Sequence, residues 1–404
     1  MTRDEATFLT RVAIRNYKSV RACSVNLGPL TFLVGPNGAG KSNFLDALRF
    51  VADALDTTLD HAIRERGGIN EVRRRSGGHP THFGLRLEFR FPSGASGHYA
   101  FRVGAQPEGA FEVQEEQCVV GEVMSYPQMF HVRSGVVGES TIKAPPPASR
   151  DRLYLVTASG LPAFRGLFDA LSKMGFYNLN PGEIRDLQPA QVGEILVRDG
   201  RNLASVLGEL AVHDLLAKRR VEQYLAEVVP GIRGVDRKAF GPRQTIEFRQ
   251  QVAGSKDPWR FTAASMSDGT LRALGVLVAL FQGRNGERRR VSLVGIEEPE
   301  AALHPAAAGV LLDALREASK RVQVIVTSHS PDLLDSPEIE TDWLLAVTAD
   351  GDVTTIGPID QRGREALRER LFTPGELLRL DRLAPDASLS HGEGQLQLFG
   401  SKRG

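Results

Sequence analysis

Residues 35–42 read Gly-Pro-Asn-Gly-Ala-Gly-Lys-Ser, an unbroken G-x-x-x-x-G-K-S, and no other stretch constrains the chain as tightly. The apolar run Leu30-Thr31-Phe32-Leu33-Val34 leads into it. An amphipathic segment from Ser42 to Leu55 leaves it, with Phe44, Leu45, Leu48 and Val51 on one face. Strand, glycine loop and helix therefore follow one another, the context in which such a loop can hold phosphate. Gly38 and Gly40 let the backbone turn with its N–H groups inward, and the helix N-terminus adds more donors and a positive dipole end. Lys41 would supply a mobile positive charge to β- and γ-phosphates, and Ser42 a hydroxyl ligand to Mg²⁺. A glycine turn with an accidental Lys-Ser would not need the flanking strand and helix.

The chain has 404 residues, enough for more than one structural unit. Hydrophobic residues make up 41% and charged residues 25%, the balance of an ordinary soluble protein. Lys and Arg number 50 against 49 Asp and Glu, so bulk charge argues neither for nor against nucleic acid. Cys23 and Cys118 are too few for a disulfide framework and match no metal spacing, so buried free thiols are expected. Met1 to Thr7 are polar and charged, unlike a signal peptide. No apolar run approaches the roughly 18 residues that span a bilayer. The expected setting is cytoplasmic, without a membrane partner.

Further along, residues 9–14 alternate as a strand, and Val25 and Leu27 suggest a second. Phe83, Leu85, Leu87, Phe89 and Phe91 alternate with polar neighbours, a half-buried strand with antiparallel partners expected at 99–103, 111–113 and 117–120. Residues 134–150, with Pro145-Pro146-Pro147, read as an exposed loop. Helical periodicity dominates from 161 to 229. Strands are expected at 244–249, 259–261, 291–296 and 322–327, and helices at 269–282 and 305–320. Residues 343–347 and 353–356 flank Ala-Asp-Gly-Asp as a hairpin. The alternation implies an α/β fold with a largely parallel sheet, an antiparallel β subdomain and a helical lid insertion. The boundaries expected are an N-terminal lobe at 8–160, the lid at 161–243, a C-terminal lobe at 244–384 and a mobile tail at 385–404.

Three further motifs carry chemistry. Residues 293–300 read Leu-Val-Gly-Ile-Glu-Glu-Pro-Glu, a buried strand ending in carboxylates. Such groups are costly at a strand end unless they hold a cation or do chemistry. Glu297 would lie beside Mg²⁺, directly or through water, and Glu298 would polarise an attacking water. An exposed acidic turn is the bland alternative. Residues 265–270, Ser-Met-Ser-Asp-Gly-Thr, open a helix, and Ser267 with Gly269 could cap an anion there, although Ser267 taken alone reads as an ordinary N-cap. His329, in Thr-Ser-His-Ser after a buried strand, could donate to a γ-phosphate; taken alone it would be a surface histidine.

Taken in order, the phosphate loop, the Ser-x-Gly turn, the strand ending Glu-Glu-Pro and the Ser-His-Ser segment resemble the ABC-type ATPase heads of the SMC, RecF and OLD families. The resemblance is closest to the bacterial ATPases labelled AAA-21 or AAA-15. It extends through Ile14-Arg15-Asn16-Tyr17-Lys18-Ser19, through Asp199-Gly200-Arg201-Asn202-Leu203-Ala204, and through Glu297-Glu298-Pro299-Glu300-Ala301-Ala302-Leu303-His304-Pro305. It spans roughly residues 8 to 380 and is firm at the motifs.

The resemblance implies two heads meeting head to tail around ATP and Mg²⁺. Gly35, Pro36, Asn37, Gly38, Ala39, Gly40, Lys41, Ser42 and Asn43 of one head would hold the nucleotide, and Ser267 and Gly269 of the other would cap it. Ser42 and Glu297 would serve the metal. Glu298 would be the catalytic glutamate and His329 the switch histidine, with Lys41 completing the catalytic set. Ala302-Leu303-His304 would touch the partner head. The chain departs from the transporter pattern at Ser-Asp-Gly-Thr, where Asp268 would repel a γ-phosphate unless it turns away, and at Glu297, where transporters carry Asp. Gln188 is a candidate for the glutamine that senses Mg²⁺, set against a plain surface glutamine. Arg73-Arg74-Arg75 could lend an arginine to the phosphates or form a solvated basic loop, the reading favoured here; Arg288-Arg289-Arg290 read as a solvated turn.

The function implied is an ATP-binding and ATP-hydrolysing switch in DNA repair or anti-phage defence, as a homodimer with a separate effector or nuclease chain and with DNA as a candidate ligand. About fifty residues follow the hairpin, too few for a Toprim nuclease of the OLD kind. The alternative is an ATP-gated scaffold with negligible hydrolysis. A transporter ATPase fits poorly, because strands and lid helices fill the gap between the phosphate loop and the acidic strand.

Overall fold

A computed structural model of the chain describes residues 8–75, 80–121, 126–190, 195–282, 291–386 and 397–399. Two compact units emerge, one of Met1–Met174 with Glu340–Gly404 and one of Gly175–Ile339.

The first unit is built on a twisted sheet. Its strands lie in the order Val136–Ser140, Gln128–Arg133, Phe111–Gly121, Ser96–Ala105, His82–Arg90, Leu9–Tyr17, Val20–Asn26, Val353–Pro358, Leu344–Asp350 and Leu30–Val34. Antiparallel ladders join the first seven. Val353–Pro358 then runs parallel to Val20–Asn26, and Leu30–Val34 parallel to Leu344–Asp350. The hairpin at Asp350-Gly351-Asp352 forms where Ala-Asp-Gly-Asp predicts it, with Gly351 at φ 58°. Helix Lys41–Asp56 covers one face, and Phe50 meets Tyr17 at 6.0 Å and Phe83 at 5.3 Å between ring centres, both edge-on. The two cysteines are buried and free.

In the second unit, Leu293–Glu297 lies between two parallel strands, Gln323–Ser328 and Gly175–Tyr177. Val294, Ile296, Val324 and Ile325 are buried on it, as strands covered on both faces require. A second, antiparallel sheet centres on Arg243–Gln250, which pairs with Gln188–Pro189, Ile232–Phe240 and Trp259–Thr262. Helices Leu203–His213, Leu215–Val228, Asp268–Phe281 and Ala308–Ser319 complete the unit.

The α/β class and the antiparallel strands agree with expectation, while residues 161–243 carry helices together with strands Gly175–Tyr177, Gln188–Pro189 and Ile232–Phe240. Several local readings change. Residues 111–113 and 117–120 are one strand, Phe111–Gly121, carried through a register shift at Arg102/Val103 of its partner. The expected loop at 134–150 contains the edge strand Val136–Ser140. Strand Ile232–Phe240 escapes the sequence because Arg233, Asp236, Arg237 and Lys238 break its apolar pattern. Of the stretch expected to be a mobile tail, Leu398 and Phe399 are packed, with Leu398 only 5% exposed. Arg288-Arg289-Arg290 lie outside the described residues.

Candidate functional site

In the first unit the phosphate loop follows strand Leu30–Val34 directly and caps helix Lys41–Asp56 with Gly40 at φ 97°. That left-handed value is open to glycine and strained for any residue with a Cβ. Pro36, Asn37, Gly38 and Ser42 are exposed, whereas Gly35, Ala39 and Lys41 are buried. Lys41 Nζ donates to the carbonyl oxygens of Gly35, at 2.8 Å, and Pro36, at 2.9 Å, so its ammonium is drawn into the mouth of the loop. Behind the loop, Ser19 Oγ and Thr354 Oγ1 stand 2.6 Å apart, Asn43 Nδ2 donates to Ser19 Oγ at 2.6 Å, and Thr354 Oγ1 donates to the carbonyl of Ala39 at 2.9 Å. These hydroxyls brace Ala39 and Gly40 from the Val20 and Val353 strands.

The helix itself is fastened by Asp46. Tyr17 Oη donates to Asp46 Oδ2 at 2.8 Å, Lys18 Nζ lies 2.6 Å from it, and Arg49 and Arg66 engage Oδ1. Burial alone would raise the carboxyl pKa, but Arg66, Lys18 and Arg49 hold it well below the usual carboxylate range. Arg66 also reaches Asp53 at 2.9 Å and lies over the Phe50 ring, its cation 5.2 Å from the centre.

In the second unit the acidic strand end is held by arginines. Arg198 Nη2 donates to Glu297 Oε1 at 2.8 Å. Arg272 Nη2 donates to the carbonyls of Glu297, at 3.2 Å, and Glu298, at 3.1 Å, while its Nη1 reaches the carbonyl of Leu179 at 2.8 Å. Burial lowers the Arg272 pKa against the pull of the three glutamates Glu298, Glu300 and Glu297. Glu298 stands at φ 46°, left-handed, with its N–H donated to the carbonyl of Thr327 at 3.0 Å. A non-glycine residue there stores backbone strain, which in such places accompanies function. His329 Nδ1 lies 3.0 Å from Glu298 Oε1, at contact distance without the alignment of a hydrogen bond. Glu300 accepts from Ser328 Oγ at 2.6 Å; burial raises its pKa and that bond offsets the rise in part.

The Ser-x-Gly turn belongs to the same unit. Ser267 is exposed and caps helix Asp268–Phe281, its Oγ accepting from the N–H of Thr270 at 3.2 Å and pairing with Thr270 Oγ1 at 2.8 Å. Arg185 pairs with Asp268 and also donates to the carbonyl of Met266 at 3.2 Å, so the aspartate is neutralised and drawn aside. A Cβ on Gly269 would stand 2.3 Å from the carbonyl oxygen of Ala302, so the turn and the loop after Glu298 touch through backbone. Ala302 has φ 65°, and His304 Nδ1 accepts from the N–H of Ala306 at 3.2 Å.

Two expectations need correction. Gln188 is not a surface residue: it is 2% exposed, its Oε1 takes the N–H of Ala204 at 2.9 Å, and its amide lies 3.4 Å from the carbonyl of Ile184. Arg73-Arg74-Arg75 are not a solvated loop throughout, because Arg74 is 6% exposed and paired with Asp352 at 2.9 Å, and Arg73 donates to the carbonyl of Pro80 at 2.8 Å. Sequence reasoning missed Arg272, Arg198, Arg185 and Glu300. Arg198 directly precedes the Asp199-Gly200 stretch and Glu300 lies inside the Glu297–Pro305 stretch, and those positions were the available signals.

The residues fit a magnesium nucleotide. A left-handed glycine loop at a helix N-terminus, with a buried lysine aimed into it, is a donor set for phosphate oxygens. Among the described residues no group of three or more His, Cys, Asp or Glu gathers as a metal cage. Magnesium at phosphates needs few protein ligands, since water and phosphate supply the rest.

Over residues 30–113 and 188–335 the chain matches the family described as "AAA domain, putative AbiEii toxin, Type IV TA system". The chain belongs to this AAA_21 family. The match takes in more than half of its length and includes the phosphate loop, the Ser-x-Gly turn and the acidic strand end. The AAA_21 chain is also 26% identical over 349 residues to the OLD nuclease of Thermus scotoductus, covering 82% of this chain and 61% of that protein. It thus spans less than two thirds of that relative's length. Among solved structures it is similar in fold to the Smc head with an extended coiled coil bound to the C-terminal domain of ScpA, from Pyrococcus furiosus, with TM-score 0.55, 13% identity and coverage of 90% and 99% of the two chains. A second Smc head, bound to the C-winged helix domain of ScpA, gives TM-score 0.53, 14% identity and coverage of 86% and 96%. The AAA_21 chain therefore has an SMC-head-like fold of the ABC-type ATPase kind, with the OLD nuclease as a relative in sequence. No helix among its described residues is long and apolar enough to cross a membrane.

Proposed function

We propose that this chain binds and hydrolyses ATP between two copies of its head and uses the closure as a conformational switch. The observation that carries this reading is the Glu298–His329 pair at 3.0 Å, on a left-handed strand end pinned by Arg272, in a chain that also bears a complete phosphate loop. Residues 35–43 hold the triphosphate, with Lys41 leaving the carbonyls of Gly35 and Pro36 for the β- and γ-oxygens. Ser42 and Glu297 serve the magnesium, which offsets charge on the β- and γ-phosphates when bound. Glu298 orients a water and takes its proton as the water oxygen bonds to the γ-phosphorus. The bond from that phosphorus to the β–γ bridging oxygen breaks, and ADP and phosphate leave. His329 donates to a γ-oxygen and registers its departure. Ser267 and Gly269 of the second copy close over the phosphates, and the Arg185–Asp268 pair keeps the aspartate away from them.

The likeness to the OLD nuclease supports a role in defence or repair with DNA as the candidate substrate, and a separate nuclease or other effector chain belongs to the same proposal. The deciding experiment compares wild type with Glu298→Gln. Turnover should fall about a thousandfold, of the order seen on loss of a central catalytic group, while ATP-dependent dimerisation by size exclusion is kept. Equal, near-zero turnover in both proteins would favour an ATP-gated scaffold, and a strict monomer in ATP would refute the shared site.

A further inference from the structure

On the face of the antiparallel sheet that carries Arg15, Arg86 and Arg102, small residues stand between the arginines. Register places Ala13 opposite Arg86 and Ser24, Arg15 opposite Gly84 and Ala22, and Gly84 opposite Arg102. Ala22, Ala13 and Gly84 therefore form a shallow trough between arginines. Leu398 lies in it, 5% exposed and packed with Ala13, while Ala22 and Phe399 pack against that pair. Leu398 Cδ1 stands 2.5 Å from where a Cβ on Gly84 would be, so the missing side chain makes the room. Arg86 Nη1 donates to the carbonyl of Leu398 at 3.0 Å and fixes the segment's direction.

Phe399 occupies a second, charged subsite. Its ring lies parallel to His131, with centres 6.4 Å apart and 12° between planes, and the Arg102 guanidinium sits 5.7 Å from its centre. Glu115 holds this platform together, accepting from Arg102 at 2.9 Å, lying 2.8 Å from His131 Nε2, and accepting from Arg133 at 3.2 Å. The segment reads Gln395-Leu396-Gln397-Leu398-Phe399, polar and apolar in alternation.

We propose that this face is a peptide-binding site for an aliphatic–aromatic segment and that Leu398-Phe399 of the same chain holds it. The contact area is one leucine and one ring, so the bond is weak in the absolute and is sustained by tethering, which gives a linked segment an effective concentration in the millimolar range. A weak, tethered contact is exchangeable. A partner presenting the same Leu-Phe chemistry would displace the segment, and the freed segment would become available to a partner of its own.

The test uses the full chain and a fluorophore-labelled peptide of residues 395–400, Gln-Leu-Gln-Leu-Phe-Gly. In the variant Leu398→Asp/Phe399→Ala the site stands open and anisotropy should report binding at least about tenfold tighter than to wild type, whose own segment competes. The same peptide with Phe399→Ala should bind neither protein. Equal binding to wild type and variant, or none to either, overturns the proposal. Thermal melting of the variant within a few degrees of wild type excludes loss of the sheet as the cause. Dimerisation of wild type through exchanged segments, abolished by the double substitution and independent of ATP, would place the occupant on a second copy and overturn the assignment to the same chain.

Discussion

The Arg272 guanidinium lies 3.1 Å from the carbonyl oxygen of Glu298, and Glu298 stands at φ 46°. The arginine reaches up from the helix opened by the Ser-x-Gly turn and ties that helix to the strained end of the acidic strand. Strain of this kind costs about 1–3 kcal/mol and persists only where the surroundings over-determine it. Arg272→Ala should let the Glu298 peptide relax. We expect kcat for ATP to fall about 10- to 100-fold, the penalty for a misplacement near 1 Å, with little change in KM. Arg272→Lys should recover part of the loss. An unchanged kcat in the alanine variant would remove Arg272 from any positioning role.

Gly269→Ala tests the backbone contact between the turn and the loop after Glu298. The new Cβ would meet the carbonyl oxygen of Ala302 at 2.3 Å, so one of the two must move. ATP binding by the phosphate loop should persist, because residues 35–43 are untouched. The dissociation constant of the ATP-bound dimer should rise at least about tenfold, or 1.4 kcal/mol. Sedimentation at several protein concentrations measures it, and an unaltered dimer would show that the turn does not serve closure.

Asp46→Ala should be among the most destabilising single changes in the first unit. It removes one of the two carboxylates that pair with Arg66, whose side chain is only 2% exposed, leaving Asp53, and it takes the acceptor carboxylate from Tyr17 Oη. Breaking a buried pair from one side costs about 3–5 kcal/mol, read as a lowered urea midpoint at pH 7. The sign of the pH effect follows from the depressed carboxyl pKa. Its stabilising contribution is present above the ordinary aspartate value of about 3.9 and is lost as pH falls below it. The variant should therefore lose less stability than wild type between neutral pH and strong acid.

Glu116 predicts the opposite slope. It is fully buried and accepts from Tyr99 Oη at 2.9 Å and from the N–H groups of Leu155, at 2.8 Å, and Tyr154, at 2.5 Å. Burial pushes its pKa up to about 7, and those three bonds offset only part of the rise. A raised carboxyl contributes stability that is complete below the unfolded value and is lost as pH climbs through the folded one. Stability should decline between about pH 4.5 and 7 by about 3 kcal/mol from this group. In Glu116→Gln that part of the slope should vanish, at the expense of an amide N–H set against the Tyr154 N–H. A slope preserved in the variant would assign the titration elsewhere.

What could be read along the chain was whatever physics acts over a few residues. The phosphate loop is such a case: its turns, its helix N-terminus and its lysine all lie within residues 35–43, so spacing alone specifies them. Strands His82–Arg90 and Leu293–Glu297 announce themselves by alternation and by a continuous apolar run. The carboxylates at 297 and 298 are legible for the same reason, since the strand that carries them ends where they begin.

Tertiary structure alone decided the supports. Ser19 and Thr354 meet at 2.6 Å across 335 positions, Arg272 reaches forward over 26 to Glu298, and Arg74 finds Asp352 across 278. Such pairs depend on which strands are neighbours and in what register, and register is a property of the assembled sheet rather than of either segment. For the same reason Gln188 reads as a sensor or a surface residue in sequence and becomes a buried cap on Ala204, and Leu398-Phe399 read as part of a polar tail until a trough of small residues receives them.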